Sequence, residues 1–165
     1  MHLTTTLTTA PSALLLLLPL LLPTLAAAAG NAVVINNCNN PIYLWSVGGS
    51  VGPRQTIQPG ASYTEALHYD PASGGVSLKI TKTPDGLYDG SPQLNYAYTL
   101  DGAKAWYDLS SVFGDAFAGS VLSVKPSDTA CPKICWPNGV NPGGSQVKTC
   151  QAGSNEVLTV CAAGC

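Results

Sequence analysis

Six cysteines constrain this chain more than any other feature: Cys38, Cys131, Cys135, Cys150, Cys161 and Cys165. All six follow an N-terminal apolar stretch, and an even count in an exported chain reads as a framework of three disulfides. The pairing is left open by the cysteines themselves. Zinc is the competing use, because Cys131-x3-Cys135 and Cys161-x3-Cys165 resemble paired ligand spacings. Export into an oxidising compartment favours bridges over free thiolates. No metal and no cofactor are therefore expected.

The apolar stretch runs from Leu14 to Ala29, Leu-rich first and Ala-rich at its end. Ala27, Ala28 and Ala29 supply the small residues that signal peptidase requires, and Pro19 and Pro23 interrupt the run. A bilayer span needs about 20 apolar residues, and this run is shorter. No Lys or Arg precedes it, only His2 and the α-amino group, which departs from the usual leader. The alternative is an uncleaved anchor. The expectation is a signal peptide over 1–29 and one domain over 30–165, too short for two good cores. The segment Glu156 to Cys165 lacks the hydrophobic tail that precedes a lipid anchor. A secreted, extracellular product follows, with no membrane association after cleavage.

Seven Lys and Arg stand against nine Asp and Glu, a net charge of −2 with no runs of one sign. Binding nucleic acid needs a basic face that displaces phosphate counterions, and scattered cations do not make one. Attraction to anionic membranes fails for the same reason.

Short alternating runs separated by Gly, Pro and Asp-Gly predict strands, not helices. Val33–Ile35, Ile42–Trp45, Ser62–Thr64, Val76–Thr81, Leu94–Leu100, Trp106–Leu109, Val121–Val124 and Val157–Val160 are the segments. Without crossover helices, an antiparallel sandwich is favoured over a parallel sheet. Ser110 to Ala118 suggests a short helical turn. Cys131 to Cys150, rich in Pro, Gly and Asn, reads as a cross-linked loop.

Serine catalysis lacks its machinery: His68 is the one histidine beyond the leader, and no Gly-x-Ser-x-Gly elbow occurs. Glycoside hydrolysis is the serious enzymatic candidate, and it needs two carboxylates across a cleft. The candidates are Glu65, Asp70, Asp85, Asp89, Asp101, Asp108, Asp115 and Glu156. Asp85 and Asp101 precede Gly and read as turn residues. Asp108 lies inside an apolar strand, where a carboxylate either anchors a neighbouring loop or lines a cleft. The aromatics Trp45, Tyr96, Tyr98, Trp106, Tyr107 and Trp136 suit either a core or a sugar platform. Trp136, placed in the Pro/Gly-rich loop, is the candidate ligand-binding ring.

Val33-Val34-Ile35-Asn36-Asn37-Cys38 followed by Pro41-Ile42-Tyr43-Leu44-Trp45 resembles the opening of thaumatin-like proteins. Pro59-Gly60-Ala61-Ser62-Tyr63 is similar to their next turn. Trp106-Tyr107-Asp108-Leu109-Ser110 with Gly114-Asp115-Ala116-Phe117 is similar to their central segment. Gln93-Leu94-Asn95-Tyr96-Ala97-Tyr98 and Trp136-Pro137-Asn138-Gly139 resemble a short fungal branch, the Bys family of antigenic thaumatin-like proteins.

The resemblance implies an all-β, disulfide-stapled thaumatin-like sandwich with Cys38–Cys161 and Cys131–Cys150 bridges, leaving Cys135 with Cys165. Larger relatives carry an acidic cleft of one Arg, one Glu and three Asp, linked to β-glucan binding and weak hydrolysis. By position Asp108 matches one cleft Asp, whereas the Glu falls at about Asn95 and another Asp at Phe113. No Arg stands in the matching stretch. The expectation is a non-catalytic secreted protein acting at the fungal surface or in host contact, as an antigen or effector. Its expected partner is wall β-glucan or a host surface protein, met through Asp108 and Trp136. The alternative is a β-1,3-glucan binder or weak β-1,3-glucanase using Asp108.

Overall fold

A computed structural model describes residues 1–2 and 28–165. The expected leader, 1–29, lies almost entirely outside the described residues. The described chain forms eleven strands and no helix. They are β1 (Asn31–Asn36), β2 (Ile42–Val47), β3 (Gln55–Ile57), β4 (Ser62–Ala66), β5 (Val76–Thr81) and β6 (Gln93–Asp101). There follow β7 (Lys104–Val112), β8 (Val121–Pro126), β9 (Ile134–Trp136), β10 (Lys148–Gln151) and β11 (Glu156–Ala162). Ser110 to Ala118 is not helical: β7 runs on to Val112, and turns follow. The expected loop from Cys131 to Cys150 contains β9 and β10.

Two sheets face one another, in the orders β4-β1-β11-β8-β9 and β10-β7-β6-β5-β2-β3. Pairing is antiparallel except between β1 and β11, which run parallel with Val34 opposite Leu158. Alternation sorts the residues. Val76, Leu78 and Ile80 of β5, with Leu94, Tyr96 and Tyr98 of β6, point inward and are buried. They meet Ala32 and Val34 of β1, Leu122 and Val124 of β8, and Leu158 and Val160 of β11 in one core. Burying a large apolar side chain contributes about 1.5–3 kcal/mol, so these facing rows hold the sheets together.

Three inward tyrosines add polar struts. Tyr96 donates to the Glu156 carbonyl at 2.7 Å, and Tyr98 donates to Glu65 Oε1 at 2.6 Å. Tyr107 donates to the Pro132 carbonyl. Each ring fills the core while its hydroxyl finds an acceptor, as buried phenols require. Disulfides join Cys38 to Cys161, Cys131 to Cys150 and Cys135 to Cys165.

Candidate functional site

The outward face of the six-stranded sheet carries the candidate site. Since Ala105, Tyr107 and Leu109 of β7 point inward, Trp106 and Asp108 point out. By register, Val47, Ser77, Ala97 and Asp108 form one cross-strand row. Trp45, Lys79, Asn95 and Ser110 form the next. Asn95 Oδ1 accepts from Gln93 Nε2 at 2.6 Å and from Lys79 Nζ at 3.4 Å. At the other edge, Tyr88 stands edge-on to Trp45 with ring centroids 6.3 Å apart.

Asp108 floors a hollow of about 140 Å³ lined by Ala97, Tyr98, Thr99, Trp106, Tyr107 and Val147. It is half-buried, and its Oδ1 is shielded from solvent without a hydrogen-bond partner. Desolvation raises its carboxyl pKa above the ordinary carboxylate value, against a smaller opposing pull from the Leu109 amide. Burying a carboxylate oxygen without a donor is costly, which is the physical source of that rise.

Most other candidate carboxylates are engaged. Asp70 accepts from the amides of Gly49, Ala72 and Ser73, which pulls its pKa down to about 2. Asp89 accepts from Ser91 N, and Asp115 from Asn141 N. Asp85 pairs with Arg54 at 3.4 Å. Glu65 accepts from Tyr63 and Tyr98, and His68 Nδ1 lies 3.0 Å from the Tyr98 hydroxyl. Glu156 is the second carboxylate with orphaned buried oxygens, and it lies inside the sandwich.

Trp136 requires a correction. It is 0% exposed, because β9 pairs with β8 and sets Trp136 opposite Leu122 in the core. Its Nε1 donates to Gln146 Oε1 at 3.3 Å. It presents no surface to an external ligand. Trp106, one of the rings that suit either a core or a sugar platform, is 40% exposed beside Asp108. The period of two in Ala105, Tyr107 and Leu109 carried that signal, since apolar inward neighbours set Trp106 outward. Asp128 lies close to the sulfurs of Cys131 and Cys150. Those sulfurs are joined to each other and do not ligate a metal as thiolates.

Two facing β-sheets, a parallel β1–β11 pair inside an otherwise antiparallel arrangement, and three bridges define a thaumatin-like protein. The chain belongs to the Bys1 family, whose model, described as Blastomyces yeast-phase-specific protein, matches residues 19–162. It is 34% identical over 140 residues to the secreted thaumatin-like protein calA of Emericella nidulans, covering 77% of this chain and 78% of that one. It is 34% identical over 110 residues to an antigenic thaumatin-like protein of Arthroderma benhamiae, covering 66% of this chain. That match spans 54% of the Arthroderma protein. The fold matches the protein elicitor MoHrip2 of Magnaporthe oryzae with a TM-score of 0.68 and 25% identity, over 81% of this chain and all of that one. It matches the thaumatin-like xylanase inhibitor TLXI with a TM-score of 0.54 at 14% identity, over 79% of this chain and 99% of that one.

Proposed function

We propose that this secreted thaumatin-like protein is a non-catalytic recognition protein. It acts at the fungal surface or in contact with a host, and it binds wall polysaccharide on the outer face of the six-stranded sheet. The observation that carries the reading is that Asp108 stands without a second carboxylate in reach. Its register neighbours are Ala97 and Ser77, and the next row offers Asn95 and Ser110. On this face the nearest acid by register is Asp101, opposite Lys104 on β6. Strand geometry sets it about 14 Å away, whereas glycosidase pairs stand about 5–9.5 Å apart. The exposed Trp106 ring beside the half-buried Asp108 suits a sugar, whose apolar face stacks on the indole. The names of the relatives, antigenic protein and elicitor among them, accord with a role outside the cell.

The test is incubation of the oxidised protein with soluble β-1,3-glucan, following both binding and release of reducing ends. Binding without cleavage is the expected result. Cleavage overturns the reading, and absence of binding moves the search to host surface proteins.

A further inference from the structure

We propose that the hollow beside Asp108 is one end of a longer trough, and that the trough takes a neutral polysaccharide chain laid across the strands, about four sugars at a time. This rests on the reading that the sheet face binds polysaccharide, and it deepens that reading to the length and direction of the chain bound.

Three observations carry it. First, a second hollow, of about 390 Å³, adjoins the first and shares Ala97, Tyr98 and Thr99 with it. It continues past Ser77 to Val47 and the loop Ser73-Gly74-Gly75. The two hollows follow one cross-strand row, Val47, Ser77, Ala97 and Asp108, with Val147 at the far end just before β10. From β2 to the edge beside β10 the row crosses four strand spacings, about 19 Å. A sugar ring with its linking oxygen covers about one spacing, so about four rings fit end to end.

Second, the floor is low and the walls are already in place. Ser77 and Ala97 are small and half-buried. One side is the next row, with Lys79, Asn95 and Ser110. The other side is Trp106, Thr99 and the loop Ser73-Gly74-Gly75. Asp70 holds that loop through the amides of Ala72 and Ser73. Gly75 lies so close to β6 that a Cβ there would stand 2.3 Å from Thr99 Oγ1. A wall set before binding avoids the cost of ordering it when the ligand arrives.

Third, the direction and the lining favour a sugar chain over a peptide. An extended peptide gains its affinity from main-chain hydrogen bonds at a sheet edge. The trough instead crosses β5, β6 and β7, each of which is paired on both sides, so a peptide laid there finds no free strand. Apart from Asp108 the lining is uncharged, and it mixes the hydroxyls of Ser73, Ser77 and Thr99 with apolar Val47, Ala97 and Val147. A neutral sugar offers the matching mixture of hydroxyls and apolar ring faces.

The experiment is calorimetric titration of the oxidised protein with β-1,3-glucan oligomers of increasing length, from dimer to hexamer. Affinity is expected to rise at least tenfold from dimer to tetramer and to change less than twofold from tetramer to hexamer. Ser77→Phe fills the trough two strand spacings, about 10 Å, from Asp108. It is expected to remove the gain from dimer to tetramer with little change in melting temperature. Ala97→Phe, on the stretch common to both hollows, provides a second block should the first variant melt low. Equal affinity from dimer to hexamer, or a tetramer preference that survives a folded blocking variant, overturns the trough and leaves the polysaccharide reading standing. Absence of binding by every oligomer and by soluble β-1,3-glucan overturns both.

Discussion

The Tyr98 hydroxyl donates to Glu65 Oε1 at 2.6 Å, so β6 of one sheet is tied to β4, the edge strand of the other. Tyr63 donates to the second oxygen of the same carboxylate, also at 2.6 Å. Burial, followed by the Glu65 contact, raises the pKa of both phenols and keeps them protonated as donors. Hydrogen bonds to charged groups contribute about 1.5–3 kcal/mol. Tyr98→Phe should therefore destabilise the fold by about 2 kcal/mol in urea unfolding. A loss below about 0.5 kcal/mol would mean that the ring alone holds the sheets.

Glu156 predicts a pH profile. The residue is 0% exposed, and desolvation pushes its pKa from 4.5 up to about 7, with Asp128 adding to the rise. Between those two values the folded protein holds a proton that the unfolded chain has released. Stability is therefore greatest below about pH 4.5 as far as this group is concerned, and it falls as pH rises to about 7. The total loss is about 3 kcal/mol at roughly 1.4 kcal/mol per unit. Glu156→Gln should flatten that slope in chemical denaturation at a series of pH values. An unchanged slope would assign the dependence to another group.

The bridges should differ in weight. Cys38–Cys161 joins residues 123 apart, and Cys131–Cys150 joins residues 19 apart. On loop-closure grounds the first contributes about 5 kcal/mol and the second about 3, against a net stability of about 5–15 kcal/mol for such domains. The double Cys→Ser variant of the first pair should melt lower than that of the second, and full reduction should unfold the protein. A reduced protein with an unchanged melting curve would refute both expectations.

Phe113 holds a φ of 59° and is 72% exposed. Left-handed backbone costs a residue with a Cβ of order 1 kcal/mol, whereas glycine adopts it freely. Phe113→Gly should accordingly raise stability or leave it unchanged, despite the greater freedom of glycine in the unfolded chain. A loss above about 1 kcal/mol would show that the exposed ring makes contacts that hold the turn.

The inward rows were legible because alternation is a local signal: Val76, Leu78 and Ile80 announce a buried face without reference to any partner. The same period assigns Trp106 and Asp108 to the outside once Ala105, Tyr107 and Leu109 are taken inward. Position along the chain misled for Trp136. A three-residue strand among Pro and Gly has no periodicity to display, and only pairing with β8 brings the ring into the core. The parallel β1–β11 pair was equally invisible. Its register depends on residues at opposite ends of the domain, which no window of sequence compares.

That pair also sets the order of events during synthesis. Asn31 is hydrogen-bonded to Asn155 across 124 residues, and β1 lies between β4 and β11. Until β11 has left the ribosome, β1 has only the short edge strand β4 to pair with. The five-stranded sheet is thus completed only after β11 is made, and non-local pairing of this kind is slow. The six-stranded sheet waits less, because five of its strands lie between Ile42 and Val112 and only its edge strand β10 comes late. Closing the Cys38–Cys161 bridge, which ties the chain just after β1 to β11, therefore belongs to the last stage of folding.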